Sequence, residues 1–126
     1  MRAWVILTFL FFLILSAPAK AIDTGAELFH ACSAAVKQAD GFQLSVEDTV
    51  SSIYCLGYVS GFTDSVRLTS HFYKPQDPKI CLPEKGASNN QLIRVVTKWL
   101  KDHPENLHES ARMEVMFAFQ NTFPCK

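Results

Sequence analysis

The four cysteines of this sequence, Cys32, Cys55, Cys81 and Cys125, are its most reactive side chains. A cysteine thiolate can act as a nucleophile beside a histidine base, or it can bind zinc. Zinc sites place cysteines in short C-x-x-C pairs, and no two of these cysteines have that spacing. If all four are paired in disulfides, no thiolate remains for catalysis.

The four histidines, His30, His71, His103 and His108, are the other candidates for acid–base chemistry or metal binding. His103 and His108 are five residues apart, a spacing that does not place two ligands on one helical face. The chain also has no G-x-S-x-G nucleophile elbow and no glycine-rich phosphate loop. We therefore predict no enzymatic activity, no metal site and no cofactor.

Length and charge narrow the class of protein further. A chain of 126 residues suits one domain, and its 12 Lys and Arg residues are balanced by 12 Asp and Glu residues. A protein that follows nucleic-acid phosphates needs a surplus of basic residues. The composition therefore excludes the usual nucleic-acid-binding classes.

The N-terminal segment has the layout of a secretory signal peptide: a cationic start, an apolar run over 3–15, and Ala19-Lys20-Ala21. A membrane anchor is the alternative, but it needs about 20 apolar residues. We predict a cleaved signal peptide over 1–21 and one periplasmic domain over 22–126, with no membrane attachment after cleavage. In an exported chain, four cysteines predict two disulfides.

Helix start signals precede four amphipathic stretches. Thr24 with Glu27, Ser45 with Asp48 and Ser88 with Gln91 have capping-box spacing, and Pro104 suits the first turn of a fourth helix. The apolar residues that follow each signal recur at helical spacing. The predicted fold is all-α: a small four-helix domain of two helical hairpins, stapled by two disulfides.

This topology predicts the disulfide pairing. Cys32 and Cys55 lie at similar distances from the turn of the first hairpin, whereas Cys81 precedes the third helix and Cys125 follows the fourth. We predict Cys32–Cys55 and Cys81–Cys125, one of three arrangements that four cysteines allow.

The second helix contains two glycines, Gly57 and Gly61, four residues apart. Glycine costs roughly 1 kcal/mol relative to alanine inside a helix, so the pair needs a reason. Close packing of a neighbouring helix is the favoured interpretation, and a binding groove is the alternative.

An irregular segment over 71–87 is the surface best suited to bind a partner, because loops of this length are usually functional, although Cys81 also tethers it. Asp64 and Arg67 have the spacing of a helix-surface ion pair, and a role in partner binding is the alternative. The predicted partner-binding residues are Asp64, Arg67, Phe72, Tyr73, Lys74, Asp77 and Lys79.

The segment from Cys55 to Asp64 resembles the Cys-x-Gly-Tyr-x-x-Gly-x-x-Asp signature of the Rap/Tai-type immunity proteins. The resemblance continues through Cys81-Leu82-Pro83, His103-Pro104-Glu105 and Phe123-Pro124-Cys125, and it covers about 28–125. Two positions differ from the family pattern: Ile80 replaces a common aromatic residue, and Glu114 replaces a common apolar one.

The resemblance implies a non-catalytic periplasmic protein that binds a peptidoglycan amidase effector of a type VI secretion system and obstructs its Cys/His active site. It also implies that some members act as homodimers. The alternatives are an acid-stress, holdase-like chaperone of the periplasm and another envelope-associated helical binding protein.

Overall fold

A computed structural model describes residues 21–126. The signal peptide predicted over 1–21 lies outside the described residues, apart from Ala21. Four helices follow: α1 (Gly25–Ala39), α2 (Val46–Phe72), α3 (Asn89–Asp102) and α4 (Ala111–Thr122). Within 21–126 the only extended pairing is an isolated bridge between Thr24 and Ser110, which confirms the all-α fold. No helix in this range is long and apolar enough to cross a membrane.

The helix starts follow the local capping chemistry. At α1 the capping box is complete, because Glu27 N–H donates to Thr24 Oγ1 at 3.3 Å and Thr24 N–H donates to Glu27 Oε2 at 3.1 Å. Ser45 and Ser88 each cap one backbone N–H of the helix they precede. Gly41, with a φ of 86°, directly follows the C-cap residue of α1 and ends that helix.

The fourth helix starts later than predicted. Pro104 opens a short 3₁₀ turn over Pro104–Asn106, and α4 begins only at Ala111. The intervening residues bind the start of α1 instead: the Leu107 and Glu109 carbonyls accept from the N–H groups of Ala26 and Gly25, both at 2.8 Å. These bonds satisfy N–H groups that the first turn of α1 leaves unpaired. Because carbonyls of residues 107–110 accept from α1, this segment does not form the first turn of α4.

Both predicted disulfides are present. Cys32–Cys55 joins α1 to α2, and Ser52 Oγ donates to Gln38 Oε1 at 2.6 Å across the same pair of helices, so the two run antiparallel. Cys81–Cys125 joins the segment before α3 to the residues after α4. The two helical hairpins are thus each closed by a covalent cross-link.

The core lies where the hairpins meet. Phe119 of α4 is fully buried, and its ring meets the rings of Phe62 and Phe123 at centroid distances of 5.7 Å and 6.0 Å. The large, fully buried aliphatic residues of the same core come from all four helices: Leu28, Val59, Leu92, Val96, Leu100 and Val115. Ala39, which helical spacing assigns to the buried face of α1, is exposed at the end of that helix.

Glu114 is buried in α4, although carboxylates are rarely found inside proteins. Trp99 Nε1–H of α3 donates to its Oε2 at 2.8 Å, while Oε1 has no hydrogen-bond partner within residues 21–126. Glu114 therefore joins α4 to α3 by a buried polar contact.

We expect Phe119→Ala to lower the free energy of unfolding by about 3–5 kcal/mol, because it leaves a cavity where the hairpins meet. Phe117→Ala is the matched control in the same helix, and it should cost only about 1 kcal/mol because that ring is partly exposed. Urea unfolding of the oxidised domain measures both. Equal losses would contradict the placement of Phe119 at the centre of the core.

Candidate partner-binding surface

The predicted partner-binding segment begins where α2 ends. Tyr73 caps the helix, its N–H donating to the Thr69 carbonyl at 3.0 Å, and Lys74 then adopts a left-handed backbone with a φ of 40°. The chain runs irregularly from here to Ser88, the cap of α3. We call residues 73–88 the connecting loop.

The connecting loop is fixed at its middle rather than at its ends alone. Cys81 forms the disulfide with Cys125, and the Cys81 N–H donates to the Phe123 carbonyl at 2.9 Å. A tight turn follows, in which Gly86 N–H donates to the Pro83 carbonyl at 2.9 Å. The loop therefore has a defined shape, which lowers the entropy lost when it binds a partner.

The predicted residues fall into two groups. Phe72 and Tyr73 project into solvent at the end of α2, 70% and 81% exposed. Two ion pairs are formed on the surface, one between Lys79 and Asp77 and one between Arg67 Nη1 and Asp64 Oδ1 at 3.8 Å. Exposed pairs of this kind stabilise a protein little, so these groups remain available to a partner.

A cleft of about 780 Å³ lies between the last turns of α2 and the connecting loop. Of the predicted residues, Arg67 and Lys74 line it, while the other five do not. Its wall also includes Val66, Ile80, Leu82 and Glu84, which are not among the predicted partner-binding residues. Ile80 and Leu82 are apolar and flank Cys81, the cysteine that tethers the loop. This pattern is the sequence feature that could have identified them as cleft residues.

The cleft combines an apolar wall with basic groups at its edge. Val66, Ile80 and Leu82 are half-buried, whereas Arg67 and Lys74 are exposed. Such a surface suits a protein partner that offers an apolar side chain next to a carboxylate. Within residues 21–126 no group of three or more His, Cys, Asp or Glu residues is arranged to hold a metal ion.

Gly57 and Gly61 lie on the exposed face of α2, whereas the sequence predicted that a neighbouring helix packs on them. Apart from the neighbouring backbone of α2 itself, no atom of the described chain lies within 4 Å of where a Cβ at Gly57 or Gly61 would be. The interpretation that a neighbouring helix packs on these glycines is therefore wrong for residues 21–126. The inner face of α2 buries Cys55, Val59 and Thr63 instead.

Shifted pKa values occur away from the cleft. Burial raises the pKa of the Tyr58 hydroxyl, and the charge of Arg112 partly offsets this. A hydrogen bond from Lys98 lowers the pKa of the exposed Asp102 carboxyl. Neither group lines the cleft.

The family model of the Rap1a immunity proteins matches residues 24–125. The chain belongs to this family. The match begins at the cap of α1 and ends at the last cysteine, so it includes all four helices and both disulfides. No curated protein and no solved structure matches the chain. Membership implies that this immunity protein binds an effector and acts as an inhibitor rather than as an enzyme.

We expect limited reduction to open Cys81–Cys125 before Cys32–Cys55. Cys81 is exposed, whereas Cys32 and Cys55 have no accessible surface, and a reductant must reach a sulfur atom to attack the bond. A titration with a phosphine reductant, followed by alkylation and peptide mass mapping, measures the order. In urea, where both bonds are accessible, this order should disappear; preferential opening of Cys32–Cys55 in the folded protein would contradict the burial.

We expect Lys74→Gly to raise the free energy of unfolding by about 1 kcal/mol, because glycine adopts a positive φ without the steric cost that other residues incur. Lys85→Gly is the control, since Lys85 lies in the same loop without a positive φ and should gain nothing. Thermal unfolding of both variants measures the difference. A destabilised Lys74→Gly variant would contradict this reason.

Proposed function

We propose that this protein is a periplasmic immunity protein that binds and blocks a peptidoglycan amidase effector of a type VI secretion system. Its mature domain spans 22–126 after removal of the signal peptide over 1–21. The proposal includes a homodimer, as the resemblance to Rap/Tai-type proteins implies. Membership of the Rap1a family supports the immunity function, and the apolar N-terminal run supports export.

The observation that carries the proposal is the shape and composition of the connecting loop and the end of α2. Two exposed aromatic residues, Phe72 and Tyr73, directly precede Lys74, which lines a preformed cleft. Aromatic and basic side chains of this kind often carry most of the binding energy of a protein interface. The disulfide at Cys81 holds the loop in one conformation, which favours a tight complex.

This surface needs no chemistry of its own to inhibit an amidase. A Cys/His hydrolase cleaves its substrate only when a peptide reaches its nucleophile. A rigid loop seated over the catalytic cleft excludes that peptide. In this arrangement the centre of the contact surface consists of Phe72, Tyr73 and Lys74. Its polar edge consists of Asp64, Arg67, Asp77 and Lys79.

The test combines Phe72→Ala, Tyr73→Ala and Lys74→Ala in one variant. We expect it to bind the type VI secretion amidase that the wild type inhibits roughly a hundredfold more weakly, because it removes the central aromatic and basic contacts. Cells that express it in the periplasm should lyse when the amidase is exported. Binding is measured by calorimetry, and protection is measured by culture density.

The control combines Lys98→Ala and Lys101→Ala, two exposed residues of α3 outside the cleft, and it should retain full binding and protection. A triple variant that still inhibits would show that the loop is not the binding surface. A wild-type protein that neither binds the amidase nor protects cells would overturn the proposed function. Suppression of client aggregation at low pH by that same protein would favour the holdase alternative.

A further inference from the structure

The cleft beside the connecting loop has the size of a site for a small ligand. Its volume of about 780 Å³ lies within the range of about 300–1,000 Å³ that small-molecule sites occupy. One wall is the end of α2 and the other is the connecting loop. The Cys81–Cys125 bond fixes the loop, so the cleft is formed before a ligand enters it.

The wall formed by the end of α2 supplies positive charge and hydrogen-bond donors. Arg67 and His71 are four residues apart, so they lie on the same face of the helix, and both line the cleft. Lys74 follows where the helix ends and lines the cleft as well. A guanidinium, an imidazole N–H and an ammonium group all donate hydrogen bonds. This wall is therefore suited to an anion.

Arg67 extends from α2 towards the connecting loop. Its Nη2 lies 3.7 Å from the position that a Cβ would take at Gly86, in the turn that Pro83 begins. Its Nη1 lies 3.8 Å from Asp64 Oδ1, an exposed ion pair that stabilises the protein little. A ligand carboxylate can replace Asp64 and accept two parallel hydrogen bonds from the guanidinium.

Lys74 has an unfavourable backbone conformation, with a φ of 40°. A left-handed backbone is disfavoured for residues that have a Cβ, whereas glycine adopts it without that cost. Backbone strain of this kind is concentrated at binding sites and active sites. The ammonium group of Lys74 in the wall of the cleft gives this strained residue a role that a glycine could not fill.

The wall formed by the connecting loop is mainly apolar. Pro78, Ile80 and Leu82 are half-buried there, and Val66 of α2 lines the same cleft. These side chains offer contacts to methyl groups and short aliphatic chains. Among the described residues that line the cleft, Glu84 is the only carboxylate, so the cationic groups outnumber the acidic one. A ligand with a carboxylate next to a small apolar group fits both walls.

We infer that the cleft binds a short acidic peptide. One carboxylate of the peptide binds between Arg67 and Lys74, and a small apolar side chain packs on the wall of the connecting loop. Peptidoglycan stem peptides have this chemistry, because they join free carboxylates to the methyl groups of alanine. The inference goes beyond the proposed function, since it requires no amidase. It adds an affinity for the class of peptide that the proposed effector cleaves.

Isothermal titration calorimetry of the oxidised mature chain with the peptidoglycan stem tetrapeptide tests the inference. We expect a dissociation constant of about 0.1 mM at low salt. Binding should weaken roughly tenfold in about 0.5 M NaCl, because salt screens contacts between exposed charges. The same peptide with its carboxylates amidated is the ligand control and should show no binding.

A second peptide distinguishes the sources of the ligand. The peptide alanyl-glutamyl-lysyl-alanine carries similar groups on ordinary α-peptide bonds. Equal affinity for the two peptides would support a site for acidic peptides in general. Weaker binding of the second peptide would support a site that selects peptidoglycan.

Two variants test the assignment of the cationic groups. Arg67→Gln and Lys74→Gly each remove one positive charge from the cleft and should weaken binding of the stem tetrapeptide roughly tenfold. Lys74→Gly should fold at least as well as the wild type, so its loss of binding cannot come from unfolding. Lys85→Ala is the control, because it removes an exposed charge of the same loop outside the cleft and should leave binding unchanged.

Failure of the wild type to bind either peptide would overturn the inference, as would equal affinity of Arg67→Gln and the wild type. Equal losses in Lys85→Ala and Lys74→Gly would also overturn it, by showing a general attraction to basic side chains of the loop. No amidase is present in these titrations. Calorimetry with the amidase and the protection assay therefore test the proposed function separately.

Discussion

The disulfide between Cys32 and Cys55 is the constraint on which the rest of this structure depends. It holds α1 against the inner face of α2, where both sulfurs are fully buried beside Val59. In the loop-entropy model a cross-link over this separation stabilises the domain by about 3–4 kcal/mol, a large share of the stability of a chain this short. Because one side of the long helix is committed to α1 and the core, its opposite side is left free. The exposed side of α2 is therefore a consequence of how the first hairpin is closed.

The second cross-link has a different role. Cys81–Cys125 lies at the surface and fixes the middle of the connecting loop to the end of α4. Together with the backbone bond between Cys81 and Phe123, it gives an irregular segment a single shape without the regular hydrogen bonds of a helix or a sheet. A segment with a defined shape loses less conformational entropy on binding a partner than a flexible loop does. One disulfide thus stabilises the fold, and the other shapes the surface.

Glu114 is a carboxylate buried within the described part of the chain. A buried carboxylate is unfavourable unless a partner compensates its lost hydration. Here the Trp99 indole donates to it, and the Trp99 ring also stacks on His103 at a centroid distance of 3.7 Å. Only one carboxylate oxygen is bonded within the described chain, so the contact orients α3 and α4 more than it adds stability.

The sequence alone determined the features that depend on local chemistry: the caps of the first three helices, the all-α class and, through the hairpin topology, both disulfides. It did not determine where α4 begins, because residues after Pro104 hydrogen-bond to the start of α1, a contact between segments far apart in the chain. Nor could it show that Gly57 and Gly61 face away from the domain, since helical spacing places residues on a common face without stating what covers that face. The apolar wall of the cleft was hidden for the same reason: Val66 comes close to Ile80 and Leu82 only after the loop folds back along α2. Local hydrogen bonding determines where most of the helices begin. Which residues are buried depends on which helices and loops pack against each other.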